Sequence, residues 1–179
     1  MKSRPKNPLA TDFDAIYQRH SREVWALVYA RWLNADVAQD IMQEAFLRLW
    51  KQGQSGGVIQ NPRAWLLRVA RNLAEDYAKS SFRRNGTQAP QTMNGVRSRD
   101  LAPLDRMGRD ETFKQVREEL DRLAPADREI LTLRYALDYS ATDIAEFLEI
   151  NATAVHMRLS RARQRLAERL TEQGVKELP

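Results

Sequence analysis

The sequence has no cysteine, only seven glycines and no long apolar run, and each of these shortages excludes a class of protein. Without cysteine there is no disulfide, no thiol nucleophile and no cysteine-ligated zinc, which suits a reducing cytoplasm. No stretch approaches the roughly 20 apolar residues of a membrane span. The first residues, "MKSRPKNPLATD", are basic but lack the apolar core of a signal peptide. We therefore expect a soluble cytoplasmic protein without membrane insertion.

Residues suited to catalysis are also scarce. The sequence contains neither a Walker-type loop nor a Gly-x-Gly-x-x-Gly motif. Its two histidines, His20 and His156, lie far apart along the chain. Asp40 and Glu44 fall on one helical face, but no histidine accompanies them, so a partner-facing role is favoured over metal binding. The sequence predicts no enzyme and no bound cofactor or metal.

Helix-forming and basic residues are abundant instead. Alanine, leucine, arginine, glutamate and glutamine are plentiful, which favours helices over strands. Apolar residues make up 42% of the chain, enough to supply a core. Twenty-nine lysines and arginines against 24 acids give a net charge of +5 and a pI of about 9.7. This charge suits a polyanionic partner.

Two interruptions divide the helical pattern. Residues 51–62 contain glycine, serine and proline and predict a loop, after which Asn61 can cap a helix that begins at Pro62. Residues 83–108 are polar and aperiodic, which is typical of an interdomain linker. We expect an all-α fold of two small helical domains, residues 10–80 and 113–170, joined by a flexible basic linker, 81–112, with a tail at 171–179. The linker is either a solvated tether or a basic strap along nucleic acid or a negatively charged channel. Its first half carries no acid before Asp100 and four basic residues, Arg83, Arg84, Arg97 and Arg99.

The C-terminal domain contains the spacing of a helix-turn-helix. Ser140, with Asp143 three residues later, predicts a capped helix from Ala141 to about Leu148. A three-residue turn follows, and Asn151 can cap the next helix. Glu149 stands at a turn position that often carries glycine because the position needs a positive φ. Either this turn is mildly strained or its geometry differs.

The second of these helices has one apolar and one polar face. At about 100° per residue, one narrow stripe holds Val155, Leu159, Ala162 and Leu166. The opposite face holds Thr153, Met157, Ser160 and Gln164, flanked by His156 and Arg161. Nearer the edges of the stripe lie Arg158, Arg163 and Arg165. A helix in the DNA major groove needs such a face, with short polar groups toward bases and arginines toward phosphates or guanine. The alternative is a basic solvated face.

The N-terminal domain shows two further faces. Within residues 36–51 the apolar side is broad, while the polar side carries Gln39, Asp40, Gln43 and Glu44 together with Leu47 and Trp50. Exposed Leu and Trp among acids and amides favour a protein-binding surface, unless Trp50 packs onto the following loop. Within residues 61–84 an apolar stripe of Trp65, Leu66, Val69, Leu73 and Tyr77 predicts core. Away from it, a face suited to single-stranded nucleic acid carries Arg63, Arg68, Arg71 and Asn72.

Three motifs occur in a telling order: "DVAQDIMQEAFLRLW", "NPRAWLLRVARNLAEDYAK" and "LAPADREILTLRYALDYSATDIAEFLEINATAVHMRLSRARQRL". This order resembles the extracytoplasmic-function (ECF) subgroup of the bacterial sigma-70 factors, which retains regions 2 and 4. The resemblance covers about residues 12–80 and 113–170. It implies a promoter-specificity subunit that binds core RNA polymerase and recognises the minus-10 and minus-35 promoter elements. An anti-sigma factor is a further partner that the family implies.

The resemblance also implies roles for individual residues. Docking on the clamp helices of the largest polymerase subunit falls to Asp40, Gln43, Glu44, Leu47 and Trp50, and region 4 would meet the polymerase flap. Recognition of the minus-10 element falls to the segment around Arg63, Arg68, Arg71 and Asn72, with Asn72 near a flipped-out base. Recognition of the minus-35 element falls to the outward face of the last helix: Thr153, His156, Met157, Arg158, Ser160, Arg161, Arg163 and Gln164. The linker would thread toward the RNA exit path.

Departures from the family pattern predict an altered promoter preference. The recognition helix commonly begins with a basic residue followed by serine, where this chain has His156 and Met157. A methionine offers apolar contact in place of a hydrogen-bond code. Glu75 adds a negative charge to a segment that is usually more basic, which would weaken duplex contacts there. The competing interpretation is a stand-alone helix-turn-helix regulator whose N-terminal bundle senses a ligand or dimerises, and a stable homodimer would distinguish it.

Overall fold

The computed structural model describes residues 13–85 and 111–174, with side chains for 13–79 and 115–174. These residues form seven α-helices and one short π-helical segment, and no β-strand occurs in the two described ranges. The prediction of an all-α fold is confirmed. Most of the predicted linker, with Arg97 and Arg99, lies outside the described residues.

The chain divides into two compact units. Of the described residues, 13–29 and 34–85 belong to the first unit, and 30–33 and 111–174 belong to the second. The first unit is built on α1 (Phe13–Trp32), α2 (Ala35–Gln54) and α3 (Pro62–Asn85). The second contains α4 (Glu111–Asp121), α5 (Pro125–Leu131), a π-helical segment (Thr132–Ala136), α6 (Ala141–Leu148) and α7 (Ala152–Glu172).

Side-chain caps start the helices of the first unit. The Asn34 side chain accepts a hydrogen bond from the amide of Val37 at 3.0 Å and begins α2. The Asn61 side chain accepts one from the amide of Ala64 at 3.0 Å and begins α3, with Pro62 at the first helical position. The predicted cap before Pro62 is thereby confirmed. These caps fix where α2 and α3 begin.

The core of the first unit places small residues where α2 and α3 meet. On α2 the fully buried side chains include Ala38, Ala45 and Leu49. On α3 the buried centre is Leu66, Leu67, Ala70 and Ala74, each at most 1% exposed. The predicted α3 stripe was centred wrongly, because Trp65, Val69, Leu73 and Tyr77 are only half-buried. Alanines let helices approach closely, and a pattern weighted toward large apolar residues overlooks them.

The second unit buries the predicted stripe of α7. Val155, Leu159 and Ala162 are buried, Leu166 is half-buried, and Leu170 extends the stripe by one more turn. Against them the unit buries Ile130, Leu133, Ile144 and Phe147. The predicted amphipathic direction of α7 is confirmed.

Local hydrogen bonds set the helix-turn-helix. Ser140 and Asp143 form a reciprocal capping box, with distances of 3.1 Å from the Asp143 amide to Ser140 Oγ and 2.9 Å from the Ser140 amide to Asp143 Oδ2. Asn151 Oδ1 accepts from the amide of Ala154 at 2.7 Å. Both predicted caps are confirmed, and each satisfies amides that the first turn of a helix leaves unpaired.

Between the two caps, α6 ends in a Schellman turn without glycine. Glu149 adopts φ 56° and ψ 42°, in the left-handed region. Its amide donates to the carbonyl of Glu146 at 3.3 Å, and the amide of Ile150 donates to the carbonyl of Ala145 at 3.0 Å. The positive φ expected at this position is present, so Glu149 carries backbone strain that glycine would avoid.

We predict that Glu149→Gly stabilises the protein by about 0.5–1 kcal/mol. Removing a left-handed non-glycine residue gains about 1–2 kcal/mol, and the extra freedom of glycine in the unfolded chain offsets part of it. Urea denaturation of the full chain measures the change. The matched control is Glu146→Gly, inside the same helix, which should lose about 1 kcal/mol. A loss of stability in Glu149→Gly would contradict the assignment of strain.

A half-buried acid, Asp121, lies at the end of α4. Burial raises the pKa of Asp121, and the charges of Arg128 and Arg117 offset this only partly. Asp121 is also the last residue of its helix, where the helix dipole disfavours a negative charge. Because its folded pKa lies above the unfolded value, the ionised carboxylate weakens the fold at neutral pH. Acidification through the folded pKa relieves that cost.

We therefore expect Asp121→Asn to raise the free energy of unfolding at neutral pH by about 0.5 kcal/mol, the scale of a charge at a helix end. The gain should shrink as the pH falls and the wild-type carboxyl takes up its proton. Chemical denaturation across the acidic range measures both. Glu172→Gln is the control, since Glu172 ends α7 but is exposed. Equal and pH-independent gains in both variants would refute the burial argument.

Candidate nucleic-acid and partner interfaces

The outward face of α7 carries all eight residues predicted for the upstream DNA element. Each of them is exposed, on the side away from the buried Val155 and Leu159. They are Thr153, His156, Met157, Arg158, Ser160, Arg161, Arg163 and Gln164. The structure brings these residues together on one surface about three turns long.

The arginines of α7 divide into two groups. Arg165 donates to Asp127 Oδ2 at 2.6 Å, and Arg169 lies 3.7 Å from the carboxylate of Glu119. Arg158, Arg161 and Arg163 have no acidic partner within the described part of the chain. Sequence spacing placed Arg165 at the edge of the buried stripe. It did not identify the ion-pair partner Asp127, which lies 38 residues earlier in the chain, on α5. Three cationic side chains are therefore left for an external anion.

One polar group on this face is already engaged. The amide nitrogen of Gln164 donates to Glu168 Oε1 at 2.9 Å, one turn further along the exposed side of α7. The other polar side chains of the face, Thr153 and Ser160, are short. Contacts with a partner at some distance from the helix backbone therefore depend on the longer side chains of this surface, namely the arginines, His156 and Met157.

On α3 the four predicted residues have different surroundings. Arg68 and Asn72 are exposed one turn apart. Arg63 instead turns toward α1, where its Nε donates to Glu23 Oε2 at 2.7 Å. The expectation that Arg63 lies away from the core side does not hold, because Arg63 is spaced in helical register with Leu67 and Ala70 of the true buried face.

Arg71 and Glu75 form an ion pair on the same helix. Arg71 Nη2 lies 3.0 Å from Glu75 Oε1, at the four-residue spacing that brings helical side chains together. The sequence predicted that the negative charge of Glu75 would weaken contacts with duplex DNA. In the structure this carboxylate instead orients Arg71, which is half-buried. Of the basic residues on this face, Arg68 extends furthest into solvent.

A second surface, on α2, mixes acids with exposed apolar side chains. Asp40, Gln43, Leu47 and Trp50, which are predicted to bind a partner, are exposed, and Glu44 is half-buried. The relative exposures of Leu47 and Trp50 are 45% and 40%, large for such side chains. This acidic apolar surface is the strongest candidate for a protein contact in the first unit.

An aromatic cluster supports Trp50. Its ring meets Phe13 of α1 edge-on, with ring centroids 5.2 Å apart. Phe13 and Tyr17 in turn pack edge-on against Phe46, at 6.1 and 4.8 Å. The sequence pattern missed the α1 aromatics because the contact joins two helices. The cluster holds Trp50 in place while leaving part of it in water.

An open groove of about 310 Å³ lies between α2 and α3. Its apolar lining is Ile41, Leu73 and Tyr77, and three carboxylates line it as well. They belong to Asp40, Glu44 and Asp76. Leu73, Asp76 and Tyr77 were not predicted as partner-binding residues, since only the packing of two helices forms the groove. An apolar groove lined by acids fits an apolar side chain on a basic partner.

Comparison with known proteins identifies the family. Residues 16–84 match the family model of sigma-70 region 2, and residues 113–166 match that of sigma-70 region 4. The chain is 33% identical to the ECF RNA polymerase sigma factor SigL of Mycobacterium tuberculosis, over 90% of this chain and 90% of SigL. The chain belongs to the ECF sigma factors. It is also 25% identical to SigW of Bacillus subtilis, over 96% of this chain and 97% of SigW.

Two solved structures share the fold of this sigma factor. One is the sigma factor RpoE in complex with the anti-sigma factor NepR from Bartonella quintana, with a TM-score of 0.61 at 22% identity. It covers 93% of this chain and 96% of that one. The other is CnrH in complex with the cytosolic domain of CnrY, with a TM-score of 0.59 at 21% identity. It covers 91% of this chain and 90% of that one.

The predicted function is confirmed by this membership. The chain is a promoter-specificity sigma factor, and the competing interpretation as a stand-alone helix-turn-helix regulator is not favoured. Among the described helices, none is both long and apolar enough to cross a membrane. Within residues 13–85 and 111–174, no group of three or more histidine, cysteine or acidic side chains could hold a metal ion.

The division of the α7 arginines generates a prediction about stability. Removing Arg165 leaves the buried carboxylate of Asp127 without its ion pair, so Arg165→Ala should lose about 1 kcal/mol, a value that allows for the half-exposed arginine. Arg161→Ala, on the same helix and without an acidic partner, should change stability by less than about 0.5 kcal/mol. Urea denaturation of both variants provides the comparison. Equal losses would show that the two arginines have the same structural role.

Proposed function

We propose that this sigma factor binds core RNA polymerase through the α2 surface and the groove between α2 and α3. In the bound state it reads the minus-10 element with α3 and the minus-35 element with α7. The observation that carries the proposal is the exposed cationic face of α7, whose three arginines lack an acidic partner in the described chain, within a matched region 4. The same chain supplies region 2.

The polymerase contact rests on shape and charge. Leu47 and Trp50 offer apolar area, and Asp40 adds negative charge beside the apolar groove. Glu44 and Asp76 also line the groove, but each is paired with a basic residue of its own helix. Interfaces gain most from such partly exposed aromatic and apolar anchors, while rim charges guide encounter and orientation. The clamp helices of the largest subunit are the proposed partner of this surface, and the polymerase flap is the proposed partner of the second unit.

The minus-10 contact uses a smaller set of residues than the sequence suggested. Arg68 and Asn72 are exposed and suited to the DNA backbone and to an extruded base, which costs a few kcal/mol to hold outside the stack. Arg71, held by Glu75, contributes positive charge at the edge of the face. Arg63, bonded to Glu23, supports the packing of α1 on α3 and contacts DNA at most secondarily.

The minus-35 contact is made by α7 in the major groove. Thr153, Ser160 and Gln164 lie toward base edges, while Arg158 and Arg163 on the two sides of the face reach phosphates. His156, Met157 and Arg161 complete the face. Because the second unit holds α7 by its buried stripe, the helix enters the groove as a preformed element.

Further properties follow from this role. The chain acts in the cytoplasm as a non-catalytic transcription initiation factor, with no cofactor. An anti-sigma factor that covers the Leu47 and Trp50 surface would compete directly with core polymerase. In one structure with this fold, RpoE is bound to the anti-sigma factor NepR, which supports a partner of this kind.

Free sigma factor should bind promoter DNA weakly, because two small DNA-reading faces on separate units gain affinity only when polymerase fixes their separation. A gel shift with a promoter fragment tests this. The chain alone should give no specific complex, and added core polymerase should produce one. Tight sequence-specific binding by the chain alone would contradict the proposal.

The docking surface yields a matched pair of variants. Leu47→Glu places a charge at an exposed apolar position of the α2 surface and should weaken core binding at least tenfold, about 1.4 kcal/mol or more. Ala15→Glu, exposed on the side of α1 away from Phe13 and Tyr17, should leave binding unchanged. Fluorescence titration of labelled chain with core polymerase measures both. Equal affinities for the two variants would exclude this surface from the interface.

A further inference from the structure

Met157 occupies the centre of the outward face of α7. It lies about 180° around the helix from the stripe of Val155, Leu159 and Ala162. Its relative exposure is 49%, and no other large apolar side chain of this helix is exposed. In a helix held in the major groove, the side chain furthest from the protein core lies deepest in the groove. Met157 is therefore placed to meet base edges.

Position along the helix supports the same conclusion. Met157 is the sixth residue of α7, and recognition helices contact bases with their N-terminal residues. Gln164, on the same line of the face two turns later, has its amide bonded to Glu168. The base-facing line of α7 thus begins with an apolar side chain and ends with an amide that already has a partner.

The chemistry of methionine restricts what it can read. A thioether donates no hydrogen bond and accepts only weakly, so it cannot distinguish the donor and acceptor patterns of guanine, adenine or cytosine. The major groove presents one apolar feature specific to a base, the C5-methyl group of thymine. An unbranched, flexible side chain adapts readily to such a group.

We propose that Met157 is a specificity-determining residue that reads a thymine methyl group in the upstream promoter element. The proposal rests on the proposed function, since it assumes that α7 lies in the major groove of that element. Arg158 and Arg161 on the flanks supply phosphate or guanine contacts, which fix the helix while Met157 discriminates at one position. The element should therefore contain a thymine whose methyl group contributes to binding.

The test removes the methyl group without changing base pairing. Run-off transcription of genomic DNA by core polymerase from the source bacterium with this sigma factor identifies promoters through their start sites. One promoter is then synthesised with uracil in place of each upstream-element thymine in turn. Titration of the holoenzyme with each fragment measures affinity. Burial of one methyl group is worth about 0.8 kcal/mol, so uracil at the contacted position should weaken binding about fourfold.

Sigma variants assign the effect to Met157. In Met157→Ala the thymine and uracil fragments should bind equally, and Met157→Leu should retain most of the difference. The matched control is Thr171→Ala, exposed at the C-terminal end of the same helix and beyond the proposed DNA-facing residues, which should keep the fourfold preference. Because Met157 is half exposed and alanine is the best helix former, the variant should fold normally, as urea denaturation will show.

The outcomes separate this proposal from the one on which it rests. If wild-type holoenzyme initiates transcription but no thymine position responds to uracil, the role of Met157 is refuted and the sigma function stands. The same holds if Met157→Ala keeps the wild-type preference for thymine. If the chain with core polymerase initiates nowhere, the proposed function fails, and the inference about Met157 fails with it.

Discussion

Burial of Val155, Leu159 and Ala162 is the constraint on which the proposed DNA-reading surface of α7 depends. A helix has one rotational freedom about its axis, and an apolar stripe against a core removes it. Once these three side chains are inside, the direction of every other residue on α7 follows from the helical period. The caps of Ser140 and Asn151 fix where α6 and α7 begin, so the register of the face along its axis is also set.

The fold also determines which arginines form internal ion pairs and which remain exposed for a partner. Arg63, Arg71 and Arg165 meet Glu23, Glu75 and Asp127 at distances between 2.6 and 3.0 Å. Arg158, Arg161 and Arg163 are exposed and form no ion pair with an acid of the described chain. A positive net charge alone therefore overstates the cationic surface. What a phosphate backbone would meet is the smaller set left after the internal ion pairs have formed.

The sequence anticipated those features that local chemistry determines. The helix-turn-helix was predictable because Ser140, Asp143 and Asn151 act within three residues of their partners, and the α7 stripe follows from a single periodicity. The buried face of α3 was not predictable in this way. It includes small alanines, and their burial depends on the packing of the neighbouring helix. The groove at Leu73 and Tyr77 and the partner of Arg165 also arise from tertiary contacts. Sequence spacing carries no information about which neighbour a side chain meets.

The left-handed residue of the recognition turn has a consequence for how this protein can evolve. Glu149 holds the turn in a left-handed conformation that costs stability relative to glycine. The single substitution Glu149→Gly would therefore increase the stability of the fold. A lineage with that margin tolerates more destabilising substitutions on the exposed face of α7, including those that change the promoter sequence it recognises. Stability gained at this turn would thus let the protein acquire a new promoter preference without unfolding its helices.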